Sequence, residues 1–66
     1  MSSRERIFLF IKANPGCHFR QIVRELGMQV GLVQYFTNKM ERGGQIWSNR
    51  NRLYRQFYAK EKITIK

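Results

Sequence analysis

Aspartate is absent from this sequence, and four glutamates are the only acids set against thirteen lysines and arginines. The imbalance gives a formal charge of +9 and a pI near 10.7. Such a surface attracts polyanions, nucleic acid being the usual one. Cysteine and histidine are just as scarce, at one each. Cys17 has no internal partner for a disulfide, and Cys17 with His18 supplies only two of the four ligands of a tetrahedral metal shell. A catalytic nucleophile, base and orienting carboxylate would also have to come from Cys17, His18 and a Glu, with the first two adjacent in sequence. The expectation is no metal, no cofactor, no catalytic residue and no enzyme. No apolar run approaches the roughly 18 residues of a membrane span, and no secretory signal is present, so the expected location is cytoplasmic. No helix joins a basic face to an exposed apolar one, which argues against a membrane surface.

What is present is enough for one small domain. Hydrophobic residues make up 42% and aromatics 14% of 66 residues, too apolar for a disordered basic tail. A chain this short buries only roughly 60% of its unfolded surface, so dimerisation would help it.

The stretch from Gln29 to Arg42, QVGLVQYFTNKMER, organises the rest. At about 100° per residue, Val33, Phe36, Thr37 and Met40 gather on one side of a helix. Gly31, Tyr35, Asn38 and Arg42 gather on the other, flanked by Gln34 and Lys39. The first face is what a packed helix buries. The second offers amide, phenol and cationic groups of a length that reaches base edges in a major groove.

Upstream, Ser2-Ser3-Arg4-Glu5 has capping-box spacing. Ile7, Phe10 and Ile11 then share a helical face until Asn14-Pro15-Gly16 stops it. The run Ile7 to Ile11 also fits a buried strand, but the cap and the stop favour helix. Phe8 at the margin and Leu9 outside the core face hint at a partner surface. A second helix starts near His18, carries Phe19, Ile22, Val23 and Leu26 inward, and ends at Gly27. Its outer face holds Arg20, Gln21, Arg24 and Glu25. Its inward quartet 19, 22, 23, 26 recurs as 33, 36, 37, 40. Two short helices with matching apolar faces across a Gly-containing turn form a helix-turn-helix.

After Gly43-Gly44 the period changes. Gln45 to Ser48 and Leu53 to Tyr58 are rich in β-branched and aromatic residues, and Asn49-Arg50-Asn51-Arg52 between them predicts a four-residue hairpin loop. Arg50 and Arg52 at the tip, with Arg55 behind, would make a basic wing. Ala59 to Lys66 alternates Ile63 and Ile65 with polar residues; a further strand, an exchange arm in a dimer and a frayed end all fit it.

The predicted fold is therefore α+β and mostly helical: a three-helix winged helix-turn-helix with a C-terminal β-hairpin wing over residues 1–58, and 59–66 as tail or extra strand. Between Arg4 and Tyr58 the residues resemble the small archaeal winged-helix transcriptional regulators, akin to the ArsR and MarR groups. The likeness lies in Asn14-Pro15-Gly16, Phe19-Arg20-Gln21-Ile22, Leu26-Gly27, Gly31, Val33-Gln34-Tyr35, Lys39-Met40-Glu41 and Gly44-Gln45-Ile46. Gln29 stands where the family usually has a Ser or Thr cap, Val30 where it often has Pro, Phe36 where it commonly has His and Thr37 where it commonly has Leu. The cysteine-rich metal-sensing segment of some relatives is missing. The resemblance implies a regulator, a repressor by preference, that binds a partly palindromic double-stranded DNA operator as a dimer.

On this reading Gln29, Gln34, Tyr35 and Asn38 are the candidates for groove contact. Gln34 and Asn38 lead, because an amide pairs bidentately with adenine. Tyr35 also suits a phosphate or a sugar. Lys39, Arg42, Arg20 and Arg24 would hold phosphates, and Arg50 and Arg52 the flanking minor groove or its backbone. The homodimer is expected through Phe8, Leu9 and the C-terminal tail. Two other readings remain: a basic RNA-binding or ribosome-associated domain that stacks bases on Trp47, Tyr54 and Tyr58, and a winged-helix protein-interaction module.

Overall fold

A computed structural model describes residues 2–50 and 55–60, with the side chain of residue 50 left out of the description. The elements in chain order are α1 (Ser3–Ala13), β1 (Cys17–His18), α2 (Phe19–Leu26), α3 (Val30–Arg42), β2 (Ile46–Arg50) and β3 (Arg55–Ala59). Three helices pack on one face of a three-stranded antiparallel sheet of order β1-β3-β2. This is the winged helix-turn-helix arrangement that the sequence predicts.

Both ends of α1 and the end of α2 have local causes. The Ser2 hydroxyl accepts from the Glu5 amide at 3.2 Å while the Glu5 carboxylate accepts from the Ser2 amide, so two otherwise orphaned donors are satisfied reciprocally. At the far end the Asn14 side chain donates to the Phe10 carbonyl at 2.9 Å, and Pro15 prevents another turn. Gly16, at φ 85, then turns the chain into β1. Gly27, at φ 64, closes α2 in the left-handed conformation that glycine adopts without a Cβ clash. Arg6 of α1 donates to the carbonyl of Leu26 at 3.2 Å, tying the two helices at that same end.

The buried set is Ile7 and Ile11 from α1, Ile22 from α2, Val33, Thr37 and Met40 from α3, with Cys17, Met28, Ile46 and Phe57. Phe10, Phe19, Val23, Leu26 and Phe36 pack against it half-buried. Thr37 is the one polar member among the described residues, and its hydroxyl donates to the Gln34 carbonyl one turn back at 3.2 Å. That bond is what lets a hydroxyl stand where an apolar side chain is the commoner choice. Burial pushes the Cys17 thiol up to about 11, so it remains a thiol at neutral pH.

Three expectations need correction. A first strand exists: Cys17 and His18 pair with Phe57 and Gln56, making a three-stranded sheet where only a hairpin was expected. The loop is not at 49–52, because Asn49 and Arg50 are in β2 and pair with Gln56 and Arg55. Asn49 tolerates a turn, but the register of the ladder decides and carries the strand two residues further. The expected tip residues Asn51 and Arg52, together with Leu53 and Tyr54, lie outside the described residues. Arg55 is not part of an outward basic wing either; it turns inward, as described below. At the C-terminal end, Ala59 belongs to β3, the Lys60 amide donates to the Gln45 carbonyl at 2.9 Å, and residues 61–66 lie outside the described residues.

Candidate nucleic-acid interface

The helical period of α3 sorts its side chains as the sequence predicts. Val33, Thr37 and Met40 are at most 1% exposed, while Gln34, Tyr35, Asn38, Lys39 and Arg42 are all exposed. Positions four apart lie one above the other on a helix. Gln34, Asn38 and Arg42 therefore form one outward ridge, and Gly31, Tyr35 and Lys39 form its neighbour. Gln29 sits at the N-cap with an extended backbone, but its side chain makes no capping hydrogen bond and is exposed. Its amide is free of that structural duty.

Tyr35 and Lys39 act as a pair. The Lys39 ammonium donates to the Tyr35 hydroxyl at 3.4 Å and stands 5.5 Å from the ring centroid. The Tyr35 ring in turn meets Phe36 edge-on, with centroids 5.1 Å apart. Tyr35 thus holds the cation near the helix surface instead of leaving it to swing freely, which lowers the entropy lost on contacting a phosphate. Arg20 and Arg24 are exposed on α2.

Gly31 is the quiet member of this face. A Cβ built there would have no neighbour within 4 Å, so nothing inside the protein requires a glycine. A glycine in a helix loses more backbone entropy on folding than alanine does. Gly31→Ala is therefore expected to raise stability by roughly 0.5 kcal/mol in a thermal melt. On duplex DNA the same variant is expected to bind more weakly, because the methyl group keeps the helix from its closest approach. A variant stabilised and undiminished in binding would place Gly31 outside the interface.

One network that reasoning along the sequence missed joins α3 to both long strands of the wing. The Glu41 carboxylate accepts from the Ser48 hydroxyl of β2 at 2.7 Å and is ion-paired with the Arg55 guanidinium of β3. Arg55 also donates through Nε to the Ser48 hydroxyl at 3.1 Å and lies over the Phe57 ring, 5.1 Å from its centroid. The only legible signal is the inward register of Ser48, two residues after Ile46. The consequence is mechanical and electrostatic. The wing is tied to the outward helix, and one arginine is withheld from solution by one of only four acids. Both partners are about one-third exposed, so solvent screening leaves the pair a modest stabiliser. Glu41→Gln is expected to lower stability by roughly 1 kcal/mol. It is also expected to steepen the salt dependence of binding to random duplex by about one unit of log–log slope, as Arg55 becomes free to meet a phosphate. Lost stability with an unchanged slope would make the network purely structural.

On another side of the molecule an open groove of about 760 Å³ lies between α1 and the turn after α3. Phe8, Leu9 and Met40 supply its apolar lining, and Arg4, Lys12 and Lys60 its cations. Leu9 is 45% exposed, as its helical position predicts. No helix among the described residues is long and apolar enough to cross a membrane.

Comparison with known proteins identifies a family. The model of the HTH_HVO_0163_N family, described as an N-terminal HTH domain, covers residues 1–64 and indicates a helix-turn-helix DNA-binding domain. No curated protein and no solved structure matches the chain.

Proposed function

The chain belongs to the HTH_HVO_0163_N family of helix-turn-helix domains, and from that premise we propose that it is a sequence-specific transcriptional regulator of the ArsR/MarR-like kind, a repressor that occupies double-stranded operator DNA. The observation that carries the reading is the exposed α3 surface. Gln34 and Asn38 are exposed on the same ridge as Arg42, beside the Tyr35–Lys39 pair. Laid in a major groove, Gln34 and Asn38 present bidentate amides to base edges. Gln29 joins them from the helix start. Lys39, Arg42, Arg20 and Arg24 neutralise phosphates and set the register of the protein on the duplex.

The wing supplies the flanking contact through Arg50 and Arg52. Arg50→Ala is expected to weaken all duplexes alike and to make the log–log salt slope shallower by about one unit. An unchanged slope would remove Arg50 from the contact set. Dimerisation places two such helices on a partly palindromic site, with Phe8 and Leu9 of each copy in the contact. A monomer in sedimentation equilibrium, both free and on the operator, would end that part of the reading.

The test of specificity is fluorescence anisotropy on the DNA upstream of the protein's own gene and on a random duplex, each across a salt series. Regulation by sequence readout requires binding that persists on the upstream duplex at salt that abolishes the random one. Equal and equally steep salt dependence on both would leave a nonspecific DNA-coating protein.

A further inference from the structure

The face of the sheet turned away from the helices carries chemistry that duplex binding does not use. Side chains alternate across a strand, so with Cys17, Ile46 and Phe57 buried, the opposite set faces out. Trp47 and Tyr58 are directly paired across β2 and β3, and their rings stack with centroids 4.4 Å apart and planes 18° from parallel. On the next outward rung Asn49, Gln56 and His18 stand side by side across all three strands. Trp47 remains 43% exposed although Tyr58 covers part of its ring. Tyr58 is itself backed by the turn, since a Cβ on Gly16 would lie 3.4 Å from its hydroxyl. The result is an aromatic rung held in place beside a rung of amides and imidazole.

We infer that this sheet face is a second nucleic-acid surface, which takes unpaired bases of single-stranded DNA. A base in a duplex has both π-faces covered by its neighbours, so an aromatic platform has nothing to stack on until a strand is opened. An unpaired base can lie on the exposed part of the indole, and its neighbour then meets the donors and acceptors of Asn49 and Gln56 along its pairing edge. Sheets that stack bases on exposed aromatics and read their edges work on these terms. The overall charge of +9 favours a polyanion over an apolar ligand. A protein partner fits less well. Trp and Tyr together offer at most roughly 500 Å², short of the ~800 Å² per side of a stable protein interface. Cross-strand stacking also stabilises the hairpin, by roughly 0.2–1 kcal/mol. That accounts for the pairing of the rings and leaves the open indole surface unused. DNA is the ligand assigned because the choice rests on the reading of α3 as a DNA-binding helix, and the oligouridylate arm below tests it.

Trp47 is the only tryptophan, so its emission reports on this surface alone. The full chain would be titrated with an oligothymidylate of about twelve nucleotides, within the range of single-strand site sizes seen for one small domain. A duplex and an oligouridylate of equal length complete the set. The single strand is expected to quench Trp47 strongly, and the duplex at equal occupancy to leave its emission nearly unchanged. Trp47→Ala is expected to weaken oligothymidylate binding roughly tenfold, with duplex binding held within about twofold. Gln56→Ala, which keeps the aromatic pair, is expected to weaken the single strand alone by roughly threefold. The Gln56 variant and the wild-type quenching decide the matter even where Trp47→Ala melts early. Absent quenching, or equal losses on single strand and duplex, would overturn the proposal. Tighter binding of oligouridylate would overturn DNA as the ligand. The duplex arm scores the α3 reading separately, so the two fail independently.

Discussion

Phe57→Ala is expected to leave the domain largely unfolded at room temperature and without measurable affinity for any nucleic acid. Phe57 is fully buried at the centre of β3, the strand that pairs with both others. Its ring meets the core on one side and carries the Arg55 guanidinium on the other. Truncating a buried phenylalanine costs about 3–5 kcal/mol, part of it in lost transfer energy and part in the cavity left behind. In a chain of 66 residues a single hydrophobic core rarely supplies more than about 3–5 kcal/mol in all. The substitution therefore removes most of the stability, and because β3 joins the sheet together, the loss is global. Circular dichroism should show the helical signal collapsing with a broad transition or none. A cooperative melt within a few degrees of wild type would mean that β3 is not the centre of the fold.

Asn38→Ala is expected to act in the opposite way, with the fold intact and the specificity gone. Asn38 is exposed in the middle of α3, between Gln34 and Arg42 on the same ridge. Alanine is the better helix former, so thermal stability should hold or rise slightly. A bidentate amide–adenine contact is worth about 1–3 kcal/mol of discrimination, so affinity for the operator should fall roughly 5–150-fold while affinity for random duplex barely changes. The salt slope should stay as it was, because an uncharged side chain releases no counterions. An equal loss on both sequences would assign Asn38 to the backbone and contradict a readout role.

The contrast between these two substitutions shows what the sequence makes legible. Helices declare themselves through local chemistry. Ser2 and Glu5 form the capping box that their spacing predicts, and Gly27 takes the left-handed cap. The repeated quartets 19, 22, 23, 26 and 33, 36, 37, 40 turn toward the core, with Ile22, Val33, Thr37 and Met40 fully buried and the rest partly so. Because a helix repeats every 3.6 residues, its outward face follows from its inward one, and the exposed candidates on α3 were readable for that reason.

The sheet was less legible. Strand β1 is two residues long, too short for any period, and it exists because Gly16 aims the chain at Phe57, to whose carbonyl its own amide donates at 2.9 Å. The loop was started too early because turn-tolerant asparagines mark where a loop can form, while the ladder keeps Asn49 and Arg50 paired with Gln56 and Arg55. The Glu41–Ser48–Arg55 network was invisible for a related reason. Three ordinary polar residues from three elements acquire a common role only once the strands are in register. The outer rung of His18, Gln56 and Asn49 depends on that same register.

On the proposed function, α3 meets duplex DNA with its Gln34–Asn38–Arg42 ridge. The most direct test is a titration of the isotope-labelled protein with duplex DNA, followed by backbone and side-chain amide shifts in NMR spectra. The side-chain amides of Gln34 and Asn38 and the backbone amides from Gln29 through Arg42 should move furthest, with the sheet face around Trp47 and Tyr58 nearly still. Shifts concentrated on the sheet face or along the Phe8–Leu9 groove, with α3 unmoved, would contradict it.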